Sequence, residues 1–183
     1  MSRCLWRRLD TPGHDACELS ETPDGWRLAG TAVFLHAHGP ARIDYMVECD
    51  PQWVSRHGEL RGWIGDDSWK VTIEHSDAGI WYLNGWNVPE LETCLDLDFG
   101  FTPATNLLQL RRCPLGIGES ADVPVAWIDL PDVSLTRLPQ RYTRRSEDTY
   151  WYESPTAGYQ ALLELDDSGF AKHYPGLWVR EGM

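Results

Sequence analysis

Turn signals recur about every 8 to 15 residues along this 183-residue chain, and no segment between them carries a 3.6-residue apolar stripe longer than two turns. That punctuation constrains the fold more than any single motif. A helical bundle needs longer amphipathic stretches, and a βαβ fold needs helices between its strands. The expectation is an all-β, mainly antiparallel chain of many short strands with few short helices, forming a single-domain barrel or incomplete barrel over residues 1–183.

The strand patterns follow one another closely. TPDG at 22–25 and HGP at 38–40 bracket WRLAGTAVFL, a strand pattern with Gly30 as a bulge candidate. In ARIDYMVEC, Ile43, Tyr45 and Val47 share a face; after the run from Glu59 to Ile64 and the turn GDDS, Trp69, Val71 and Ile73 alternate. Asn84-Gly85 is the strongest two-residue hairpin signal. PVAWIDL, VSLTRL, RYTRR, TYWYES and YQALLEL extend the series, with turns at Asp166 to Gly169 and at Pro175-Gly176. Short helices fit at Pro51 to Arg56 and near Tyr159.

Charge narrows the partners. Twenty-eight acids against 16 bases give a net charge of −12, which repels phosphate backbones and anionic membrane surfaces, so no nucleic-acid partner is expected. The five cysteines lack CxxC spacing, against a zinc ribbon or thioredoxin motif. The N-terminus MSRCLWRRLDTPGHD has no apolar core of a secretory signal, and no window approaches 18 apolar residues. A cytoplasmic protein without a transmembrane segment and with reduced thiols is expected. The aromatic content, ten Trp, seven Tyr and four Phe, either fills a large β core or lines an apolar cavity or a sugar surface.

The densest stretch is CLDLDFGFTPATNLLQLRR at 94–112. As a strand, Leu95, Leu97, Phe99 and Phe101 take one face, and Cys94, Asp96 and Asp98 the other, the two aspartates about 6.6 Å apart along the backbone. Pro103 fixes a turn, and Thr105 and Asn106 bond neighbouring backbone there or offer hydroxyl and amide groups to a ligand. If the second apolar run is regular, only one of Arg111 and Arg112 faces the interior. The stretch therefore reads first as a hairpin, second as the polar lining of a pocket, and third as an acid–base carboxylate pair of the glycosidase kind.

Enzyme signatures are missing. There is no G-x-S-x-G elbow, LGIGES has no following Lys-Ser/Thr, and neither Cys94 with the aspartates, the loop at His14 to Glu18, nor His36 with His38 has recognised metal spacing. Catalytic residues, metal and cofactor are all expected to be none.

Several motifs, WRRLD, DGWRLAG, the 94–112 block, PVAWIDLP, LPQRY and DDSGFAKHYPGLWVR, resemble in this order the bacterial family named Putative glycolipid-binding, formerly a domain of unknown function. The resemblance runs from Trp6 to Arg180. It implies a mostly antiparallel β architecture similar to the incomplete barrels of lipoprotein-localisation carriers, and a glycolipid or other lipid-like small molecule as partner. Asp96, Asp98, Thr102, Thr105, Asn106 and Arg112 match its central motif and are the expected ligand-binding residues. Two other readings stay open: a carboxylate-dependent hydrolase or isomerase acting on a sugar or lipid-like substrate, marked by a raised carboxyl pKa in an apolar pocket, and an interaction protein with a solid core and no ligand. Oligomeric state is left open.

Overall fold

The structure, a computed structural model, describes residues 1–182. Its strands are β1 (Ser2–Arg8), β2 (Gly13–Thr22), β3 (Gly25–His36), β4 (Gly39–Cys49), β5 (Ser55–Ile64), β6 (Asp67–His75), β7 (Trp81–Leu83), β8 (Trp86–Val88) and β9 (Asp96–Phe99). After helix α1 (Asn106–Arg112) come β10 (Ser120–Asp122), β11 (Val125–Ile128), β12 (Thr136–Leu138), β13 (Arg141–Arg144), β14 (Thr149–Ser154), β15 (Tyr159–Leu165), β16 (Ala171–Tyr174) and β17 (Trp178–Arg180).

Fourteen of these strands form one antiparallel sheet in the order β10-β13-β14-β15-β16-β17-β1-β2-β3-β4-β5-β6-β7-β8. Its outer strands β10 and β8 do not pair with each other, so the sheet is an incomplete barrel. The two ends of the chain meet inside it, where β1 pairs with β17 and Trp6 stands opposite Arg180. Asn84 (φ 51°) and Gly85 (φ 81°) close the β7–β8 hairpin, both left-handed as a primed turn requires. Pairing is regular through Gly30, which faces Cys17 and Tyr45 without a bulge. That glycine serves a close approach instead, since a Cβ there would lie 2.4 Å from the Tyr45 hydroxyl oxygen.

The inside of the curl is filled. A second sheet of order β12-β11-β9, with β9 and β11 parallel, packs there with α1. Ser55 at the start of β5 fastens it: its backbone N–H donates to the Leu95 carbonyl at 3.0 Å, and its hydroxyl accepts from the Leu97 N–H at 3.0 Å. All four β9 residues are buried, so both faces of this strand are covered. Leu97 reaches the Gly58 position of β5, and Phe99 meets Tyr45 edge-on with ring centroids 6.0 Å apart. Asp96 and Asp98 point the other way, towards α1 and β13.

Three expectations are corrected. The 94–112 stretch is not a hairpin: its first run is a four-residue strand, and its second, Asn106–Arg112, is the helix. The Leu-rich run has good helix formers and arginines in its last turn, where the helix dipole favours cations. The short helices that the sequence also allows at Pro51 to Arg56 and near Tyr159 do not form; the first is a turn leading into β5 and the second opens β15. Leu95 precedes the strand and is 37% exposed, so it does not share a buried face with Leu97. The tryptophans divide between roles, with Trp6 and Trp81 in the core and Trp86 80% exposed.

Candidate functional site

Polar residues from β9, α1 and β13 form a buried layer beside the second sheet. Asp98 accepts from the Thr105 hydroxyl at 2.6 Å through one oxygen and from the Gln140 amide at 2.7 Å through the other. The Thr105 hydroxyl oxygen also accepts from the Phe99 N–H at 3.2 Å and makes no cap to its own helix. A helix-capping residue type is thus committed to a carboxylate instead. The next residue, Asn106, donates to the Tyr142 hydroxyl at 2.8 Å, and Tyr142 donates to Gln109, one turn on, at 2.6 Å. Asp96, two residues before Asp98, takes Arg112 in a bidentate pair with contacts of 2.9 and 2.7 Å. Burial alone would make Arg112 less basic, but the bond to Asp96 outweighs it and the guanidinium is raised; burial also raises Asp96, against the opposing bond and charge of Arg112.

A second buried group lies deeper. The Tyr45 hydroxyl donates to Asp15 at 2.7 Å and accepts from Thr102 at 3.2 Å, while the Thr102 hydroxyl oxygen accepts from the Ala104 N–H at 3.1 Å. Asp15 is fully buried and its second carboxylate oxygen has no partner. Burial pushes its pKa up to about 7, against the opposing effect of the neighbouring Tyr45 and Thr102 hydroxyls.

Beside these layers lies a cavity of about 280 Å³ between the second sheet, the loop that leads into α1, and strands β14, β16 and β17. Its rings come from Phe99, Trp127, Tyr152, Tyr159, Tyr174 and Trp178. Polar groups reach it from Asp98, Thr102, Asn106 and Ser154. The Ser154 hydroxyl is buried and has no hydrogen-bond partner. Tyr152, Tyr159 and Tyr174 stand in mutual contact, with ring centroids 5.4 to 6.1 Å apart. Tyr159 is fixed by donating its hydroxyl to the Pro175 carbonyl at 2.7 Å. Burial raises Tyr159 to about 12 and holds Tyr174 well above the usual phenol range, so both rings stay neutral.

Of the six residues singled out from sequence, Asp98, Thr102 and Asn106 line this cavity, while Asp96, Thr105 and Arg112 stand behind its wall. Only Arg112 of the arginine pair turns inward. Arg111 bonds the Ser168 carbonyl at 2.6 Å and lies over the Trp53 ring. Ser154 escaped the sequence reading, and Asp15 entered it only within the supposed loop His14 to Glu18, which is instead part of strand β2. The signal for Asp15 was an acid in register with Cys17 and Leu19 on the inward face of β2; for Ser154 it was the inward series Tyr150, Tyr152, Ser154 of β14. Among the described residues no group of three or more His, Cys, Asp or Glu side chains is placed to hold a metal ion, and no helix is long and apolar enough to cross a membrane.

The crystal structure of a DUF1089 family protein from Pseudomonas aeruginosa is similar, with a TM-score of 0.80 at 26% identity over 91% of this chain and 92% of that one. A comparison with curated proteins finds no match. A family match covers residues 3–180, nearly the whole length, and with the shared architecture it assigns the chain: it belongs to the family described as Putative glycolipid-binding.

Proposed function

We propose that the protein binds the head group of a glycolipid or similar amphiphile in the cavity between the second sheet and strands β14, β16 and β17. The observation that carries this reading is the pairing of aromatic walls with polar groups from both sides, Asp98, Thr102 and Asn106 from one and the buried, unpartnered Ser154 hydroxyl of β14 from the other. Aromatic faces cover the apolar faces of a sugar ring, and a few placed polar groups fix its orientation. At about 280 Å³ the cavity lies at the small end of ligand pockets, about 300 to 1,000 Å³. It takes one head group and leaves an acyl tail outside. Asp98, Thr102 and Asn106 contact the head group in this reading, and Asp96, Thr105 and Arg112 hold the contacting residues in place.

The raised pKa of Asp98, caused by burial, is the feature a carboxylate-dependent enzyme would show. Such chemistry needs a second carboxyl or a nucleophile across the substrate. Asp98 is the sole acid among the described residues lining this cavity, with both oxygens engaged by Thr105 and Gln140. Binding is therefore favoured over catalysis.

Native mass spectrometry of protein purified from its own host, followed by solvent extraction, tests the reading. A stoichiometric lipid or glycolipid is the expected result. Protein that emerges empty and leaves its tryptophan fluorescence unchanged on titration with alkyl glucosides overturns it.

A further inference from the structure

We infer that the head group seated in this cavity carries a cationic nitrogen, as a protonated amine or a quaternary ammonium; the inference rests on the proposed binding site and deepens it. The charge balance of the lining is one-sided. Asp98 is the sole acid and no Lys or Arg lines the cavity among the described residues; burial holds its carboxyl towards the protonated form, and a cation bound beside it favours the ionised one. The neighbouring Asp96 differs, because Arg112 neutralises it through a bidentate pair. Asp98 has only neutral donors, the Thr105 hydroxyl and the Gln140 amide. An anionic head group, phosphate or sulfate, would find no basic partner among the lining residues and an acid in its place.

The walls supply the rest of a cation site. Tyr152, Tyr159 and Tyr174 form a contiguous cluster of rings, and the negative face of an aromatic ring attracts an ammonium within about 6 Å of its centroid. The chain itself already places a cation over another lining ring: the Arg8 guanidinium sits 5.3 Å from the Trp178 centroid, with its charge met by Asp10. The unpartnered Ser154 hydroxyl offers an oxygen to an N–H donor or to an adjacent sugar hydroxyl. Aromatic faces around a single carboxylate, with no basic residue, favour an ammonium over a neutral group of the same shape.

The test titrates the full chain, by tryptophan fluorescence and calorimetry at pH 7, with two matched pairs of probes. Choline is compared with 3,3-dimethyl-1-butanol, its uncharged isostere, and methyl 2-amino-2-deoxyglucoside with methyl glucoside. At least one charged member is expected to bind ten-fold or more tighter than its neutral partner, and which pair shows the gap tells a quaternary ammonium from an amino sugar. Asp98→Asn, checked for folding by circular dichroism, is expected to close the gap. Tyr174→Leu keeps an apolar, though smaller, side chain, removes the π face, and is expected to weaken the charged probe more than the neutral one, which serves should Asp98→Asn fail to fold. Equal binding within both pairs overturns the cationic head group and leaves the cavity reading standing, and a gap that survives both substitutions overturns the seating of the cation against Asp98 and the tyrosine cluster. No binding of any of the four, together with the failure of alkyl glucosides, overturns both.

Discussion

Arg112 grips Asp96 from one edge, its Nε donating to one carboxylate oxygen at 2.9 Å and its terminal nitrogen to the other at 2.7 Å, while Asp96 is wholly buried. Removing one partner of such a pair leaves an uncompensated charge in the interior, which costs about 3 to 5 kcal/mol. Arg112→Ala is expected to lose that much in urea unfolding. Asp96→Leu combined with Arg112→Leu is expected to regain most of it, because neither charge is then stranded. A single variant as stable as the parent would mean the pair is not desolvated.

Asp15 makes stability depend on pH. Folded, it keeps its proton to about pH 7 because burial disfavours the ion; an ordinary carboxyl releases it near 3.8. Between those values the folded state binds more protons than the unfolded one, so stability falls as pH rises, by on the order of 4 kcal/mol over the full window. Burial raises Asp98 and Asp129 in the same direction and lowers His75, which acts oppositely. Asp15→Asn isolates the one contribution. Its stability relative to the parent is expected to rise by on the order of 3 kcal/mol between pH 5 and pH 8, measured by urea unfolding. Parallel pH profiles for the two proteins would show that Asp15 ionises normally.

Gly58 and Leu97 fix how closely the second sheet sits on β5. A Cβ at position 58 would lie 2.3 Å from Leu97 Cδ2 but 3.6 Å from its next neighbours. Gly58→Ala is therefore expected to cost about 1 to 3 kcal/mol through overpacking. In the Leu97→Ala background the same change is expected to cost almost nothing, since the added methyl enters the space vacated by the leucine. A double-mutant cycle by thermal or urea unfolding measures the coupling, and strict additivity would contradict the packing.

The sheet was legible in the chain because its information is local. Alternation in ARIDYMVEC places Ile43, Tyr45 and Val47 inward, and Asn84-Gly85 names its own turn. The helix was not, because seven residues make two turns, and a short apolar run has no period that separates helix from strand. Asp96 and Asp98 were legible as a pair on one face, but not as buried. Their partners Arg112 and Gln140 lie 16 and 42 residues away, beyond what spacing reveals. The cavity was the least visible part. Its rings lie on strands whose patterns look like ordinary core, and only the curl of the sheet brings Trp178 and Tyr152 to face Phe99.

Ser154 separates a ligand contact from a structural one. Its hydroxyl is buried without a partner in the protein, so Ser154→Ala removes an unsatisfied polar group and is expected to leave stability unchanged or slightly higher. A bound head group that uses this oxygen would gain about 0.5 to 1.5 kcal/mol from the bond, so the same substitution is expected to weaken ligand binding roughly 2- to 10-fold. Thermal unfolding and ligand titration on the one variant read the two effects separately. Lower stability with unchanged affinity would make Ser154 a structural residue and shift the polar contacts of the cavity to Asp98, Thr102 and Asn106 alone.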